Sequence, residues 1–579
     1  MIADEVEAAH HPLRLLRGQW RERRQAEGDE QEKKSGTQLT PDRLFRMLAG
    51  RHPTVNLLDT RLSPSFRAVT LALIGAAAAA ACRSPSRPSA ALQYYESYDP
   101  RSLDPALSTD VPTGEMVTYV FDGLTRFEPD GRLAPGLADR WSVERGGQRY
   151  VFHLRPGVKF HDGRALAAAD VPASFARVLD PATTGGRAWP LYPIRGAREY
   201  AAGKATEIAG LQLLGDTGVA IDLTEPLAVF PKFLAMPVAS IVESPTPPDL
   251  RERPIGTGPW RFVSWQHDDA LHFARNPAYW GGAPRSESLM VRIIPDPLVQ
   301  GAEFEAGRLS IVEVPFGETP RWRQSHPAWL REQPALRVTY IALNTRRGPL
   351  RDVRVRQAIN FAVNVRAILH AVWNDRGILA RGAIPPSLPG GDTTRTGYGY
   401  DPARAKELLA AAGYPNGFAL QLWRTANNVA LGRVAQAVQA DLAAVGIRVE
   451  VLERDASSQR EAARAGNADM AILDWWADYP DGDNFLYPLF HSASAGPGGN
   501  YSFYSDPVTD SLIMSARRTL DDTARAALYA RIDARVYGAA PWLYLWFPVD
   551  LWAVSPAVQA WQLPVIFNGQ RWSQAAHVP

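Results

Sequence analysis

The sequence predicts a mixed α/β chain folded into more than one lobe, and three observations predict it. At 579 residues the chain exceeds what a single hydrophobic core ordinarily serves, so roughly two to four compact units are expected. Beyond residue 91, short alternating runs with strand character give way to turns and then to runs with helical apolar spacing. Its 47 prolines punctuate many loops, and its 17 tryptophans are worth following because aromatic side chains wall small-molecule and peptide sites. The formal net charge of +2 gives no electrostatic case for a nucleic acid or acidic polymer as partner. A single cysteine excludes a disulfide framework and any cysteine-rich zinc site.

Residues 1–66 are dense in charge and low in pattern, as in Arg21-Glu22-Arg23-Arg24, and read as a disordered or spurious extension. Residues 67–82 have the form of a signal peptide: basic flank at Arg61 and Arg67, an apolar run too short for a mature bilayer span, then alanines. The ending Ala79-Ala80-Ala81-Cys82 resembles the lipobox of bacterial lipoproteins, with Ala79 where that motif usually has leucine. The resemblance implies lipidation of Cys82, and two or more acyl chains anchor stably where one does not. The other reading of Cys82 is a small hydrophobe in a helix. Residues 83–91 read as a tether. Because signals normally begin near the start codon, the true start is expected downstream of Met1, at Met47.

The globular pattern opens with a strand at Leu92-Gln93-Tyr94-Tyr95 and a turn at residues 101–106. A helix is expected from Glu115 to Asp122, closed by Gly123. Tyr150-Val151-Phe152-His153-Leu154 alternates as a strand does. Asp170 precedes Val171, Pro172, Phe175 and Val178, the pattern of an N-cap, an early proline and helical apolar spacing. Residues 403–412 form an amphipathic helix ended by Gly413.

Several motifs then occur in a set order. They include Leu103-Asp104-Pro105, Phe121-Asp122-Gly123-Leu124, residues 135–141 and 152–163, Gly256-Thr257-Gly258-Pro259-Trp260, residues 275–282, 353–358 and 411–418. Together they resemble the oligopeptide/dipeptide class of ABC-transporter extracellular substrate-binding proteins, solute-binding protein family 5, over nearly all of residues 92–565. The resemblance implies an α/β, two-lobe periplasmic-binding-protein fold of the class II or cluster C type, with an extra subdomain inserted in the first lobe. On that template, lobe I is residues 92–340 plus 541–579 with the subdomain at about 137–255, and lobe II is residues 341–540. The chain would cross between lobes at residues 338–344 and 541–547.

One stretch concentrates chemistry. Residues 474–485 hold four carboxylates and four aromatics in twelve positions, poor core material because charged side chains are seldom buried unpaired. Met470-Ala471-Ile472-Leu473 reads as a buried strand delivering them to a strand end, where sites gather in open α/β sheets. The residues alone leave two readings: a ligand pocket walled by Trp475, Trp476 and Tyr479 around Asp478, or a solvated turn at Pro480-Asp481-Gly482. The family resemblance implies Asp478 as the partner of a ligand α-amino group and Trp475 as a pocket wall. It also places Trp476 where the strand backbone pairs with an extended peptide, lobe packing being the alternative. Ile472 stands where some members have arginine. Arg424 is a candidate for neutralising a ligand carboxylate, its alternative being a surface arginine.

No enzyme reading assembles a reactive set. Gly203-Lys204 lacks phosphate-loop spacing, and Ala205 stands where a metal-binding Ser or Thr would be. There is no Gly-x-Ser-x-Gly elbow and no His-Glu-x-x-His. His161 beside Asp162 reads as turn chemistry. A glycosidase could draw two carboxylates from residues 474–483, and a secreted carboxylate-dependent hydrolase is the alternative from another class. The expectation is therefore a monomeric, non-enzymatic, lipid-anchored binding protein that captures a peptide or similar amine-bearing solute. It would deliver that solute to ABC permease subunits, with no cofactor, metal or nucleic acid. An oligosaccharide, nickel chelate or opine is the alternative cargo.

Overall fold

The computed structural model describes residues 91–183 and 186–578. The readings made for the N-terminal extension, the signal segment, Cys82 and residues 83–90 lie outside the described residues. Among the described residues the longest strand is Trp542–Val554, and it lies inside the largest sheet. It pairs antiparallel with Arg337–Leu343, and along the rest of its length with Gly377–Leu379, Leu330–Pro334 and Ile311–Glu313. Beyond Arg337–Leu343 come Met470–Trp476, Ala419–Thr425 and Arg448–Arg454. Ala419–Thr425 runs parallel to both of its neighbours. Parallel strands need crossovers, commonly helical, and the helices Val429–Ala443 and Ala456–Ala465 lie in those connections.

The long strand feeds three cores. Leu543 and Leu545 enter a core with Ile341, Val434 and Met470, whereas the alternate residues Trp542 and Tyr544 enter another with Tyr340, Phe490 and Tyr537. That is the two-residue period of a strand buried on both faces. The register then slips between Thr339 and Tyr340, whose partners are Trp546 and Tyr544. A bulge opposes two residues to one, so Trp546 joins Leu545 on the same side and Phe547 falls to the other. Farther along, Leu551, Ala553 and Val554 enter a third core with Leu92, Trp260 and Trp572. The segments expected as crossovers, residues 338–344 and 541–547, thus fall in adjacent antiparallel strands, with only Asn344 and Pro541 just beyond the strand ends.

Two four-stranded sheets complete the scaffold. In one, Ala91–Glu96 pairs parallel with Ser288–Ile293, followed by Ala270–Arg275 and Trp260–Gln266. The other is an antiparallel array of Ala138–Glu144, Arg149–Leu154, Gly218–Asp222 and Leu211–Leu214.

Helix boundaries follow the caps. The helix expected over Glu115 to Asp122 is Val111–Val120, because the Asp110 carboxylate accepts from Thr113 N–H and Pro112 sits in the first turn. Asp170 is the first helical residue and not the cap. Its carboxylate instead accepts from Ala167 N–H at 2.8 Å, Ser244 N–H at 3.0 Å and Arg164 Nη2 at 2.7 Å, which ties the helix start to two loops. The helix over Pro402–Ala411 is capped by Asp401, and Gly413 beyond it has φ +91°, a conformation that favours glycine.

Three of the recurrent motifs meet at one carboxylate. Asp122 is fully buried and accepts from Arg571 Nη1 at 2.5 Å, Trp280 Nε1 at 2.9 Å, Thr257 Oγ1 at 3.0 Å and Tyr279 OH at 3.3 Å. A buried charge so completely bonded fixes its partners in place, and removing it strands a buried guanidinium. Asp122→Ala is expected to cost about 3–5 kcal/mol of stability, read by denaturant unfolding. A loss below about 1 kcal/mol would show that the motifs hold together without it.

Candidate functional site

The strand Met470–Trp476 is longer than expected and carries Asp474, Trp475 and Trp476 within it. On one side it pairs with Arg337–Leu343 along its whole length. On the other side its pairing with Ala419–Thr425 covers only Met470 and Ala471. Beyond Ala471 that edge has no further strand partner among the described residues, and it faces a cavity of about 1150 Å³. Leu473, Trp475, Trp476 and Asp478 line this cavity, with Arg337 from the neighbouring strand and Tyr95 from the first strand. A second cavity of about 580 Å³ shares Arg187, Trp475, Asp478 and Tyr501 with it.

Asn484 organises the turn after the strand. Its buried side-chain oxygen accepts from Trp475 Nε1 at 3.1 Å and from the backbone N–H of Asp478 at 3.1 Å, which fixes the indole and the aspartate relative to each other. No role was assigned to Asn484 from sequence; a short amide after a Pro-Asp-Gly turn is ordinary turn chemistry and carries no mark of this double acceptance. The Asp478 carboxylate lies 3.0 Å from Arg187 Nη2 in the two shared walls. Arg187 also went unassigned, because it is distant in sequence and sits in a loop without pattern.

The remaining candidates take different places. Trp476 is 56% exposed, and the Arg337 guanidinium lies over its ring, 4.2 Å from the centroid. Tyr479 is buried, donates to Asp483 Oδ2 at 2.7 Å, packs edge-on against Phe233 and lines only the smaller cavity. Arg424, expected near a ligand carboxylate, is directed elsewhere. It pairs with Glu453, donates to the Thr425 carbonyl at 3.1 Å and lines neither of these two cavities. The physical reason is its position: its strand continues alongside Arg448–Arg454, which presents Glu453 at the matching register.

Of the other three carboxylates of the stretch, Asp481 and Asp483 are held inside the fold, whereas Asp474 is exposed and lines the large cavity. Asp474 accepts from Thr339 Oγ1 across the ladder. Asp481 is bound by Lys232 Nζ at 2.5 Å; burial raises its carboxyl, but the ammonium outweighs burial and leaves it below the ordinary range. Asp483 is raised by burial, with Arg517 at 3.6 Å opposing.

Part of the lining of the large cavity is acidic. Glu96 at the end of the first strand and Glu115 on the helix Val111–Val120 come together there, beside Asp110. Burial pushes Glu115 up to about 7 and raises Glu96 well above the carboxylate range, with Glu115 adding to the effect on Glu96. Glu313 and Asp550 form a second acidic pair: burial raises both, Asp550 adds to the effect on Glu313, and Arg337 and Arg376 oppose.

A sign follows for Glu115. Below about pH 4.5 both folded and unfolded chains are protonated there. Between 4.5 and about 7 the unfolded chain has released a proton that the folded chain still holds, so stability falls as pH rises. Glu115→Gln keeps an acceptor for Tyr119 OH, which donates to Glu115 at 3.2 Å. It is expected to raise the melting midpoint at pH 8, with the advantage shrinking to nothing by pH 4.5. A difference independent of pH in thermal melts would refute the assignment.

The family model for bacterial extracellular solute-binding proteins, family 5, matches residues 132–497. The dipeptide-binding protein of Escherichia coli K12 is 32% identical over 479 residues, covering 78% of this chain and 88% of that one. The heme-binding protein A of Haemophilus influenzae is 32% identical over 466 residues, covering 76% and 84%. Among solved structures, the periplasmic binding protein DppA from Helicobacter pylori in complex with peptide STSA superposes with a TM-score of 0.71 at 27% identity. The match covers 85% of this chain and 99% of that one. The fold is the two-lobe α/β periplasmic-binding-protein fold of the class II type with an inserted subdomain, as expected. The chain belongs to the bacterial extracellular solute-binding proteins of family 5.

Proposed function

We propose that this protein is the solute receptor of an ABC importer, taking up a peptide or similar amine-bearing solute between its lobes and passing it to the permease. The observation that carries the reading is the strand edge beyond Ala471, which has no strand partner among the described residues, its Ile472 carbonyl accepting from Gln459 Nε2 at 2.9 Å, and which lines the large cavity directly before Asp478. An extended peptide added to such an edge gains main-chain hydrogen bonds that read length and polarity, while side chains go to neighbouring pockets. Asp478 then meets the α-ammonium. Its present partner, the Arg187 guanidinium, occupies the place of that cation, so binding exchanges one ion pair for another at Asp478, and the released guanidinium is compensated when it meets the ligand carboxylate. Trp475 and Trp476 supply walls, and Arg337 or Arg187 serves the ligand carboxylate in place of Arg424.

Lobe I in this reading comprises residues 92–340 and 541–579, with the subdomain at about 137–255, and lobe II comprises residues 341–540. The hinge lies where the chain crosses, at residues 338–344 and 541–547. Contacts from both lobes coexist only when the cleft is closed, so ligand shifts the population toward that state. Lipidated Cys82 tethers the protein to the membrane on the extracytoplasmic side. It performs no chemistry on its cargo; the relatives named above are binding proteins, which supports this.

Asp478→Ala is expected to weaken binding of a free-amine peptide by about 10- to 100-fold, the scale of a lost charge-assisted hydrogen bond in an enclosed site. Affinity for the N-acetylated peptide should change little. Calorimetry on the two ligands decides it: equal affinity of wild type and variant for the free amine would sink the anchor. Mass spectrometry of solute retained through purification identifies the cargo, and a retained sugar or metal chelate would replace the peptide reading.

A further inference from the structure

Glu96 and Glu115 line the same cavity as Asp478 and form no ion pair with a Lys, Arg or His among the described residues. Glu96 lines the large cavity and is 8% exposed; its Oε1 is buried with no N–H or hydroxyl donor among the described residues, and its carboxyl group meets that of Glu115 in a hydrogen bond. Glu115 lies beside it and accepts from Tyr119 OH. Asp110 Oδ2 is likewise buried and without a hydrogen bond. The nearest cation to it is Arg101 Nε at 3.8 Å, on a side chain that is largely exposed. A buried carboxylate without a partner is costly, and proteins ordinarily pair it.

The surroundings say what kind of charge would fit. Tyr94, Tyr95 and Tyr98 line the same end of the cavity, with Trp572 packed on Tyr94 at a ring separation of 5.1 Å. Aromatic faces attract organic cations, and carboxylates beside them supply charge-assisted hydrogen bonds. A metal ion is poorly served: among the described residues no group of three or more ligating side chains is placed to hold one. The geometry points to a second cation subsite at Glu96 and Glu115, which receives a primary ammonium or guanidinium group of the solute separate from the one met by Asp478. It rests on the proposed function only in taking the large cavity as the solute site. An empty subsite holds a proton between the two glutamates, facing Asp110, Tyr94, Tyr95 and Tyr119, and an arriving cation replaces that proton.

The test compares the tripeptides Ala-Lys-Ala and Ala-norleucine-Ala, which differ only in the terminal ammonium, by calorimetry on the full protein. It adds thermal melts with 1,5-diaminopentane against 1-pentanol. The lysine peptide is expected to bind about tenfold tighter, and Glu96→Gln/Glu115→Gln should remove the preference while leaving the norleucine peptide unchanged. Equal affinity in the wild type, or a preference that survives the double variant, overturns the subsite. Should neither peptide bind, a diamine-specific rise in melting midpoint that the double variant loses keeps the subsite and rejects the peptide reading. No diamine-specific rise in that case rejects both. If the double variant does not fold, Glu96→Gln alone is judged by the same outcomes.

Discussion

The hydrogen-bonded ladder of Trp542–Val554 is the constraint on which the rest depends. One strand contributes side chains to three separate cores, and it does so because a period of two places successive residues on opposite faces. The bulge opposite Thr339 and Tyr340 changes that phase once, so Leu545 and Trp546 face the same way. Below the bulge, Tyr340 and Trp542 stack with ring centroids 3.7 Å apart, which locks the two strands in register. The partner strand Arg337–Leu343 then sets the position of Met470–Trp476 residue by residue. The cavity wall is thus a consequence of the ladder.

Within that wall the design is economical in charge. Four carboxylates fall close together in sequence, yet Asp481 and Asp483 are buried against partners inside the fold, and Asp474, exposed at the large cavity, accepts from Thr339 across the ladder. Only Asp478 is turned to both cavities, held at its backbone by Asn484 and balanced by Arg187. In the same cavity, Glu96 and Glu115 are arranged in the opposite manner, meeting each other with no ion pair among the described residues. The same physics governs both. A charge taken out of water is tolerated when a partner meets it, and where the protein supplies none, a proton or a ligand does.

The motifs that identify the family turned out to share a physical centre. Phe121-Asp122-Gly123-Leu124, Gly256-Thr257-Gly258-Pro259-Trp260 and residues 275–282 are far apart in sequence, and Asp122, Thr257, Tyr279 and Trp280 converge on one buried carboxylate with Arg571. Read singly, each motif is a turn or a strand end. Their joint purpose is visible only where the chain brings them together.

The amino-acid pattern by itself determined the local elements: the alternation of residues 150–154, the apolar run before Asp474, the helix ended by Gly413 and the mixed α/β class. Those depend on neighbours a few residues away, and period and turn chemistry are written locally. It also marked residues 474–485 as unusual, and the order of motifs carried the family. Tertiary structure alone decided that Asp478 is the aspartate of that stretch reaching both cavities, since burial and partners from residues 187, 232, 339 and 517 divide four similar side chains. It also turned Arg424 to Glu453 and joined Glu96 to Glu115 across strand and helix. Pairing of charges acts through space over a few ångströms, and no spacing along a chain encodes which distant residue will stand there.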